Sequence, residues 1–206
     1  MKNQSGYEGK ASIPKMLKAL LPYTLLAIVL FAISLVVGLH APPELASSTL
    51  EELKQALQPL VALGPIVLLF IIFLNNAIKA LAALGLGIIL GIPPLIFIGA
   101  NGFMLGAAVS ALQAATRCEV IAASLAPHGI IEIPLLLLAS ALGFRIGMES
   151  VRFVIGRKSA MKAQLRNSMS IYLKWILTGL FIAAVIEVFI TPLFILLAGG
   201  KELFVK

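Results

Sequence analysis

The chain has 206 residues, of which 60% are hydrophobic and 12% are charged, with a net charge of +7 and no aspartate. Soluble domains are about half apolar and about a quarter charged, so this composition excludes an ordinary soluble fold and leaves no polar sequence for a second folded domain. The lone Cys118 excludes an intrachain disulfide and a multi-cysteine metal site.

Five apolar runs are long enough to cross a membrane as helices, for which about 20 predominantly apolar residues are needed. They are Ala19–Leu39, Leu60–Gly91, Leu95–Ala115, Ile130–Gly147 and Ile171–Ala198. An alternative divides residues 60–115 into three spans and makes six in all. In either case we predict an all-α fold, a polytopic transmembrane helical bundle that forms one integral membrane domain over residues 1–206.

Prolines end the first two spans. Pro42 and Pro43 follow the first span and open a loop over residues 40–59, in which Ser47–Thr49 begins a short helix. After the second span, Gly91–Pro94 predicts a tight turn, because neither of its prolines can continue the preceding helix.

Two further positions predict broken helices. The run Pro127-His128-Gly129 marks a break before the fourth span. Asn101 can cap a helix end and Gly102 tolerates a positive φ, so the third span is expected to break there. Broken helices within the membrane are buried in protein or line a cavity, and transporters bind their substrates at such breaks.

The basic residues predict the orientation of the bundle, because cytoplasmic loops carry an excess of lysine and arginine. With five spans, one side collects Lys2, Lys10, Lys15, Lys18, Arg152, Arg157, Lys158, Lys162, Arg166 and Lys174, and the other keeps Lys54, Arg117, Lys201 and Lys206. With six spans the second basic group would lie outside. We therefore expect five spans in the cell (cytoplasmic) membrane, with the basic residues 1–18 in the cytoplasm and the C-terminus outside.

Residues 149–170 form a basic cytoplasmic segment in this topology. Val154, Met161, Leu165 and Met169 fall near helical spacing, with basic residues between them. This pattern is typical of an interfacial helix on anionic lipid, and it also fits a docking face for a cytoplasmic partner. A third interpretation is a basic anchor that sets the topology and nothing more.

Three small-residue motifs predict close helix packing. In each motif two glycines four residues apart occupy one helix face, and the pairs are Gly87 and Gly91, Gly102 and Gly106, and Gly143 and Gly147. We expect these faces to pack within one chain, and homodimerisation is the alternative.

Polar residues within or beside the apolar spans form the candidate functional cluster. They are Asn75, Asn76, Lys79, Asn101, His128, Glu132 and Glu187. A charged side chain in hydrocarbon is costly, so such residues usually face the interior of a bundle and have a partner. Counted along the helices at about 1.5 Å per residue, Asn75 and Glu187 are expected at similar depth, with Lys79 as the counter-ion of Glu187.

Glu132 has two interpretations. His128 and Glu132 are four residues apart and could share a helix face, which would make a titratable pair in a water-accessible cavity. If the helix begins near Gly129 instead, Pro134 falls in its first turn, where a missing N–H costs little. Glu132 would then lie at the positive end of the helix dipole, which favours its charge.

The residues do not predict catalysis. His128 and Glu132 offer one pair of metal ligands, whereas a catalytic zinc typically has three protein ligands. The sequence contains no nucleophile elbow, no phosphate-binding glycine loop and no aspartate pair. No aromatic–basic motif accompanies the positive charge, so nucleic acid is not an expected partner. We expect a non-enzymatic protein without a metal or a cofactor.

Four sequence blocks resemble those of the SpoIIM-like family (stage II sporulation protein M). They are Phe73–Asn76 with Gly85–Gly91, Ala100–Gly106, His128–Pro134 and Ile186–Pro192, in order and with suitable spacing. In sporulating bacteria the family member is a polytopic membrane protein that assembles with cell-wall-degrading partners during engulfment. The resemblance therefore implies a non-enzymatic assembly role, and the family also includes archaeal and other non-sporulating proteins.

These observations favour a scaffold or assembly factor of a membrane complex. The alternative is a small channel or transporter, coupled to ions or protons and built around the buried asparagine and glutamate residues. The expected partners are the lipid bilayer, with anionic lipid at the cytoplasmic face, together with other membrane or cell-envelope proteins and a second copy of the chain.

Overall fold

Residues 13–48, 51, 52, 55, 63–113 and 116–200 are described by a computed structural model, and within these ranges the chain is helical and has no β-strand. Some of the basic residues used to predict the orientation lie outside the described residues, namely Lys2, Lys10, Lys54, Lys201 and Lys206. The same holds for the side chain of Lys15.

The described helices follow one another in a simple order. They are α1 (Ile13–Leu39), α2 (Pro65–Gly85) with a 3₁₀ turn (Leu86–Ile88), α3 (Ile92–Gln113), α4 (Cys118–Val154), α5 (Met161–Ile171), α6 (Leu177–Val185) and α7 (Thr191–Leu197). Residues 43–48 are also helical, so the short helix after α1 begins at Pro43 and not at Ser47 as predicted. Two π-helical segments, Tyr172–Ile176 and Ile186–Ile190, join α5 to α6 and α6 to α7. Residues 161–197 are therefore one continuous helix, the last helix of the bundle.

Five helices are long and apolar enough to cross a membrane. They cover Lys18–Leu39, Pro65–Ile88, Ile92–Gln113, Gly129–Val154 and Met161–Leu197. The prediction of an all-α polytopic bundle with five spans is confirmed. The boundaries differ most in the last span, which begins ten residues earlier than predicted.

Helix α4 is the centre of the bundle and packs against α1, α2, α3 and the last helix. The main core contains large apolar side chains that are almost fully buried, among them Leu84, Leu142, Ile146, Ile176 and Leu180. A smaller cluster joins α1, α3 and α4. Large apolar side chains are exposed on the outer surface of the spanning helices, among them Ile33, Ile78 and Ile96, as expected for a surface in contact with lipid.

The glycines of the three motifs lie where helices touch. A Cβ atom on Gly102 would lie 2.7 Å from the Phe31 carbonyl oxygen of α1, and a Cβ atom on Gly106 would lie closer still to the Leu35 carbonyl oxygen of α1. Gly87 and Gly143 face each other between α2 and α4, and Gly91 faces Gly147. All six motif glycines are buried within the chain, and each permits a close approach of two backbones.

The turn between α2 and α3 is the tight turn that the sequence predicts. Gly91 has a φ of 77°, a backbone conformation that glycine adopts at little cost. The two prolines that follow lie in the first turn of α3, where no helical N–H is needed. Ser150 donates a hydrogen bond to the Ile88 carbonyl oxygen at 2.5 Å, which attaches the turn to α4.

Neither predicted break is present. Helix α4 continues through Pro127 and Pro134, and α3 continues through Asn101, whose Nδ2 donates to the Phe97 carbonyl oxygen at 2.8 Å. The prediction was wrong because neighbouring helices cover a proline-containing helix inside a membrane, so a proline there need not end it. It follows that Glu132 lies mid-helix, which removes the interpretation that places it at a helix N-terminus.

The irregular helix is the last one. Pro192 cannot donate a helical hydrogen bond, and the π segment Ile186–Ile190 directly precedes this part of the chain. Thr191 Oγ1 donates to the Ile186 carbonyl oxygen at 3.3 Å. The extra residue of the π turn thus accommodates the proline while the helix continues.

The basic segment 149–170 is not a separate interfacial helix. Its first part completes α4, residues 155–160 form a connection, and α5 begins the last helix. The buried face of α5 carries Gln164 and Ser168, which hydrogen-bond to each other at 3.0 Å, whereas Leu165 is exposed. Of the four apolar residues in the predicted pattern, Met161 and Met169 pack against the main core, whereas Val154 and Leu165 are exposed.

Candidate functional site

A large cavity lies between α1, α3 and α4, and we call it the α3–α4 cavity. Its volume is about 1170 Å³. One end is formed by Gln113 and Cys118, near the connection between α3 and α4, and the other end by Phe97 and Leu136. The wall is aliphatic and aromatic except at a few positions, which include Lys79 of α2.

Three residues of the predicted polar cluster line this cavity at its inner end. Lys79, Asn101 and Glu132 come from α2, α3 and α4. In sequence they are separated by 22 and 31 residues, and the packing of α2 and α3 against α4 brings all three to this cavity. Glu132 is about 11 residues, or roughly 17 Å, from the Gly143 contact, which places this end of the cavity near the middle of the membrane.

Asn75 and Asn76 lie near the middle of α2, one turn before Lys79. Asn75 Nδ2 donates to Asn76 Oδ1 at 3.3 Å. The Asn75 side chain is exposed, whereas Asn76 is partly buried. In the described part of the chain Asn75 makes no other hydrogen bond, so most of its amide faces the region that lipid would occupy.

Glu187 is separated from the other polar residues. Phe181 packs edge-on against Phe73, with ring centroids 5.4 Å apart, which aligns the last helix with α2. Asn75 is two residues from Phe73 and Glu187 is six residues from Phe181, in opposite directions along the bundle. About eight residues, or roughly 12 Å, therefore separate the depths of Asn75 and Glu187 in the bundle. Among the described residues Glu187 has no hydrogen bond and no ion pair.

The expected ion pair between Lys79 and Glu187 is therefore not formed, and the prediction of similar depth needs correction. That prediction counted from Ala198, as if the last helix ended at the membrane boundary. The helix actually spans 37 residues, more than a bilayer requires. Its end is consequently not a measure of depth.

For the predicted pair of His128 and Glu132, the structure describes the side chain of Glu132 only. Both residues belong to α4, so they share a helix face, but the side chain of His128 lies outside the described residues. Within the ranges that the structure covers, no three His, Cys, Asp or Glu residues are grouped as a metal site would require.

Sequence reasoning missed a polar network at the connection between α4 and α5. The Glu149 carboxylate accepts hydrogen bonds from the Ala160 amide at 2.7 Å and from the Ser159 hydroxyl at 3.3 Å. It also pairs with Arg152 at 2.8 Å. A glutamate one turn before a helix end, followed by a serine at the start of the next helix, was the signal available in the sequence.

Two other buried hydroxyls were also not anticipated. The Tyr172 hydroxyl donates to the Ala77 carbonyl oxygen at 2.9 Å and links the last helix to α2. The Ser140 hydroxyl is fully buried and has no hydrogen-bond partner in the described part of the chain. Isolated Ser and Tyr residues in apolar runs carry no sequence signal that identifies their partners.

Comparison with known proteins gives two matches. A family model described as stage II sporulation protein M matches residues 27–192, a range that includes the whole polar cluster. The chain is also 30% identical over 124 residues to an uncharacterized protein of Methanocaldococcus jannaschii, an alignment that covers 58% of this chain and 68% of the relative. No solved structure matches the chain.

Proposed function

The chain belongs to the stage II sporulation protein M family, and from this premise we propose that it is a non-enzymatic scaffold or assembly factor of a membrane complex. As a family member with five apolar spanning helices it is a multi-pass membrane protein. The observation that best supports an assembly role is the exposed Asn75 near the middle of α2.

An exposed asparagine inside a bilayer favours association with another helix. Lipid cannot hydrogen-bond to the amide, and an unsatisfied polar group in hydrocarbon costs free energy. Asparagine side chains accordingly hydrogen-bond between transmembrane helices, with measured contributions of about 0.6–2 kcal/mol. The neighbouring side chains Leu74 and Ile78 are apolar and 51% and 63% exposed, so a partner helix would also find an apolar surface around Asn75.

The proposal is tested by site-specific photo-cross-linking in native membranes. A benzoylphenylalanine at Ile78 is expected to give one discrete protein adduct. Asn75→Leu should weaken this association by about three- to thirtyfold, the equivalent of the lost hydrogen bonds. Leu74→Ile changes the same surface without removing a polar group and should leave the adduct intact.

A second probe position serves as a control. Ile33 of α1 is 56% exposed, and a cross-linker there should give only diffuse lipid products. Adducts of equal yield in wild type and Asn75→Leu, or lipid products alone at Ile78, would contradict the assembly role. An adduct made of two copies of this chain would identify the partner as a second copy, so the assembly would be a homodimer and not a complex with other proteins.

A small ion- or proton-coupled channel or transporter is the second candidate, and the convergence of Lys79, Asn101 and Glu132 on the α3–α4 cavity favours it. Ionisable residues within the membrane commonly mark a path for ions or protons. In proteoliposomes this candidate predicts proton or cation flux that Glu132→Gln abolishes. Glu187→Gln is the matched control, because Glu187 does not line the cavity. Liposomes without flux of protons, Na⁺, K⁺ or divalent cations would exclude this candidate.

We further propose that the bundle lies in the cytoplasmic membrane with the connection between α4 and α5 on the cytoplasmic side. Arg152, Arg157, Lys158 and Lys162 are exposed there. Basic residues next to a membrane attract anionic lipid, at about 1 kcal/mol per residue near the surface. Anionic lipid is thus the expected neighbour of this end of the bundle.

A further inference from the structure

The α3–α4 cavity is long and narrow. It follows α3 from Phe97 to Gln113 and α4 from Cys118 to Leu136, which is roughly 25 Å along the bundle. Spread over this length, its volume of about 1170 Å³ corresponds to a mean cross-section of roughly 50 Å². An extended hydrocarbon chain fits within a cavity of this length and cross-section.

The cavity opens sideways to the bilayer. Met104 of α3 and Ile130 of α4 line it and are nevertheless 47% and 72% exposed, so the two helices stand apart along this edge. Beyond its Lys79 end the helices close, since Gly143 lies against Pro94. An occupant therefore enters from the hydrocarbon and meets a closed end at Lys79.

The closed end has a distinct chemistry. In the described part of the chain Lys79 makes no hydrogen bond or ion pair, whereas Glu132, which also lines the cavity, has a partner within the chain. Asn101 uses one N–H of its side-chain amide on the Phe97 carbonyl oxygen and retains the second N–H as a donor for an acidic group. A lysine near the middle of a bilayer is stabilised by an anionic partner, so an occupant with an acidic group complements this end.

The acidic group must also reach a closed end near the middle of the membrane. A phospholipid keeps its headgroup at the membrane surface, which would place chain ends beside Lys79. A carboxylic acid differs, because its protonated form enters hydrocarbon without a charge and its ionised form then accepts hydrogen bonds from an ammonium group. Both its size and its chemistry suit the narrow end of the cavity.

We propose that the α3–α4 cavity binds one long-chain fatty acid from the bilayer. Its carboxyl group lies at Lys79 and Asn101, and its hydrocarbon chain follows α3 and α4 toward Cys118. This proposal concerns binding at equilibrium, so it holds whether the protein assembles partners or transports a solute.

Binding is measured with the fluorescent fatty acid cis-parinaric acid on protein in nanodiscs of neutral phosphatidylcholine, with empty nanodiscs as the background. We expect saturable binding of one molecule per chain. Palmitate should displace the probe at least tenfold more effectively than hexadecanol, which has the same chain but no acidic group. This comparison uses wild-type protein and does not depend on the folding of a variant.

Lys79→Gln and Ala126→Trp distinguish recognition of the carboxyl group from binding of the hydrocarbon chain. Lys79→Gln should remove the preference for palmitate over hexadecanol, whereas Lys174→Gln, which changes an exposed lysine outside the cavity lining, should retain it. Ala126→Trp places a large side chain into the cavity and should weaken the binding of both compounds at least tenfold.

The position of the bound hydrocarbon chain is tested by the reactivity of Cys118, the single cysteine, which is free and exposed. Palmitate should slow its alkylation by N-ethylmaleimide several-fold in wild type and have no effect in Ala126→Trp. The proposal is overturned by binding no greater than in empty nanodiscs, or by equal displacement with hexadecanol or lysophosphatidylcholine. A palmitate preference that survives in Lys79→Gln, or unchanged alkylation of Cys118, would likewise overturn it.

Discussion

Individual glycines determine how closely the helices of this protein approach one another. A Cβ atom at Gly147 would lie 2.5 Å from the backbone nitrogen of Gly91, and one at Gly143 would lie 2.5 Å from the Ala83 carbonyl oxygen. Backbone atoms cannot move aside as the end of a flexible side chain can. Gly85 is different, because its surroundings are open and its φ of −70° is helical.

We expect Gly147→Ala to destabilise the bundle by about 1–3 kcal/mol through overpacking. Gly85→Ala is the matched control and should be neutral or stabilising by up to about 1 kcal/mol, because alanine loses less conformational entropy in a helix. The measurement is the free energy of unfolding by SDS in mixed micelles. Equal effects of the two substitutions would show that the contact between Gly91 and Gly147 does not limit the approach of the helices.

At the scale of elements, one carboxylate organises the connection between α4 and the last helix. Glu149 is 9% exposed and accepts a hydrogen bond from the Ala160 amide, which precedes α5. The first amides of a helix lack partners within it, and an acceptor there stabilises the helix start. Arg152 holds the other carboxylate oxygen at 2.8 Å.

Glu149→Ala should therefore lower the free energy of unfolding by about 1.5–3 kcal/mol, the range for hydrogen bonds to charged groups. It should also speed trypsin cleavage after Arg157 and Lys158, which are exposed in this connection. Glu119→Ala is the control, because Glu119 is exposed at the start of α4. If both variants are cleaved at the wild-type rate, the network does not hold the connection.

On the scale of the whole molecule, exposed basic residues gather at one end of the bundle. Arg157, Lys158 and Lys162 lie at the connection between α4 and α5, and the turn at Gly91 lies at the same end because Gly91 contacts Gly147. The other end carries Arg117, which donates a hydrogen bond to the Ala198 carbonyl oxygen at 3.0 Å. The excess of positive charge favours the first end as cytoplasmic.

Cysteine labelling tests this orientation in a Cys118→Ala background. A single cysteine at Lys158 should resist a membrane-impermeant maleimide on intact cells and react after permeabilisation. Lys158 is preferable to Ser159, whose hydroxyl bonds to Glu149. A cysteine at Glu44, exposed at the opposite end, should react on intact cells. The reverse pattern would invert the proposed topology.

The sequence by itself determined the fold class, the five spans and the turn at Gly91. Each span was predictable because a helix in hydrocarbon must satisfy its own backbone hydrogen bonds, which makes apolar length a sufficient signal. Reasoning from neighbouring residues alone was wrong at Pro127, where it predicted a break and α4 continues. A proline signals a helix end only when no neighbouring helix covers the groups that it leaves unpaired, and the neighbours of α4 are not visible in its own sequence.

Only the tertiary structure decided which polar residues meet. Lys79, Asn101 and Glu132 line one cavity. Glu187 does not line it, although the sequence pattern predicts that it is equally buried, and it lies about 12 residues, or roughly 18 Å, from the level of Lys79. The level and rotation of each helix depend on its contacts with other helices, such as those of Gly143 with Ala83 and Pro94. Hydropathy does not predict these contacts, because every face of an apolar helix is compatible with lipid.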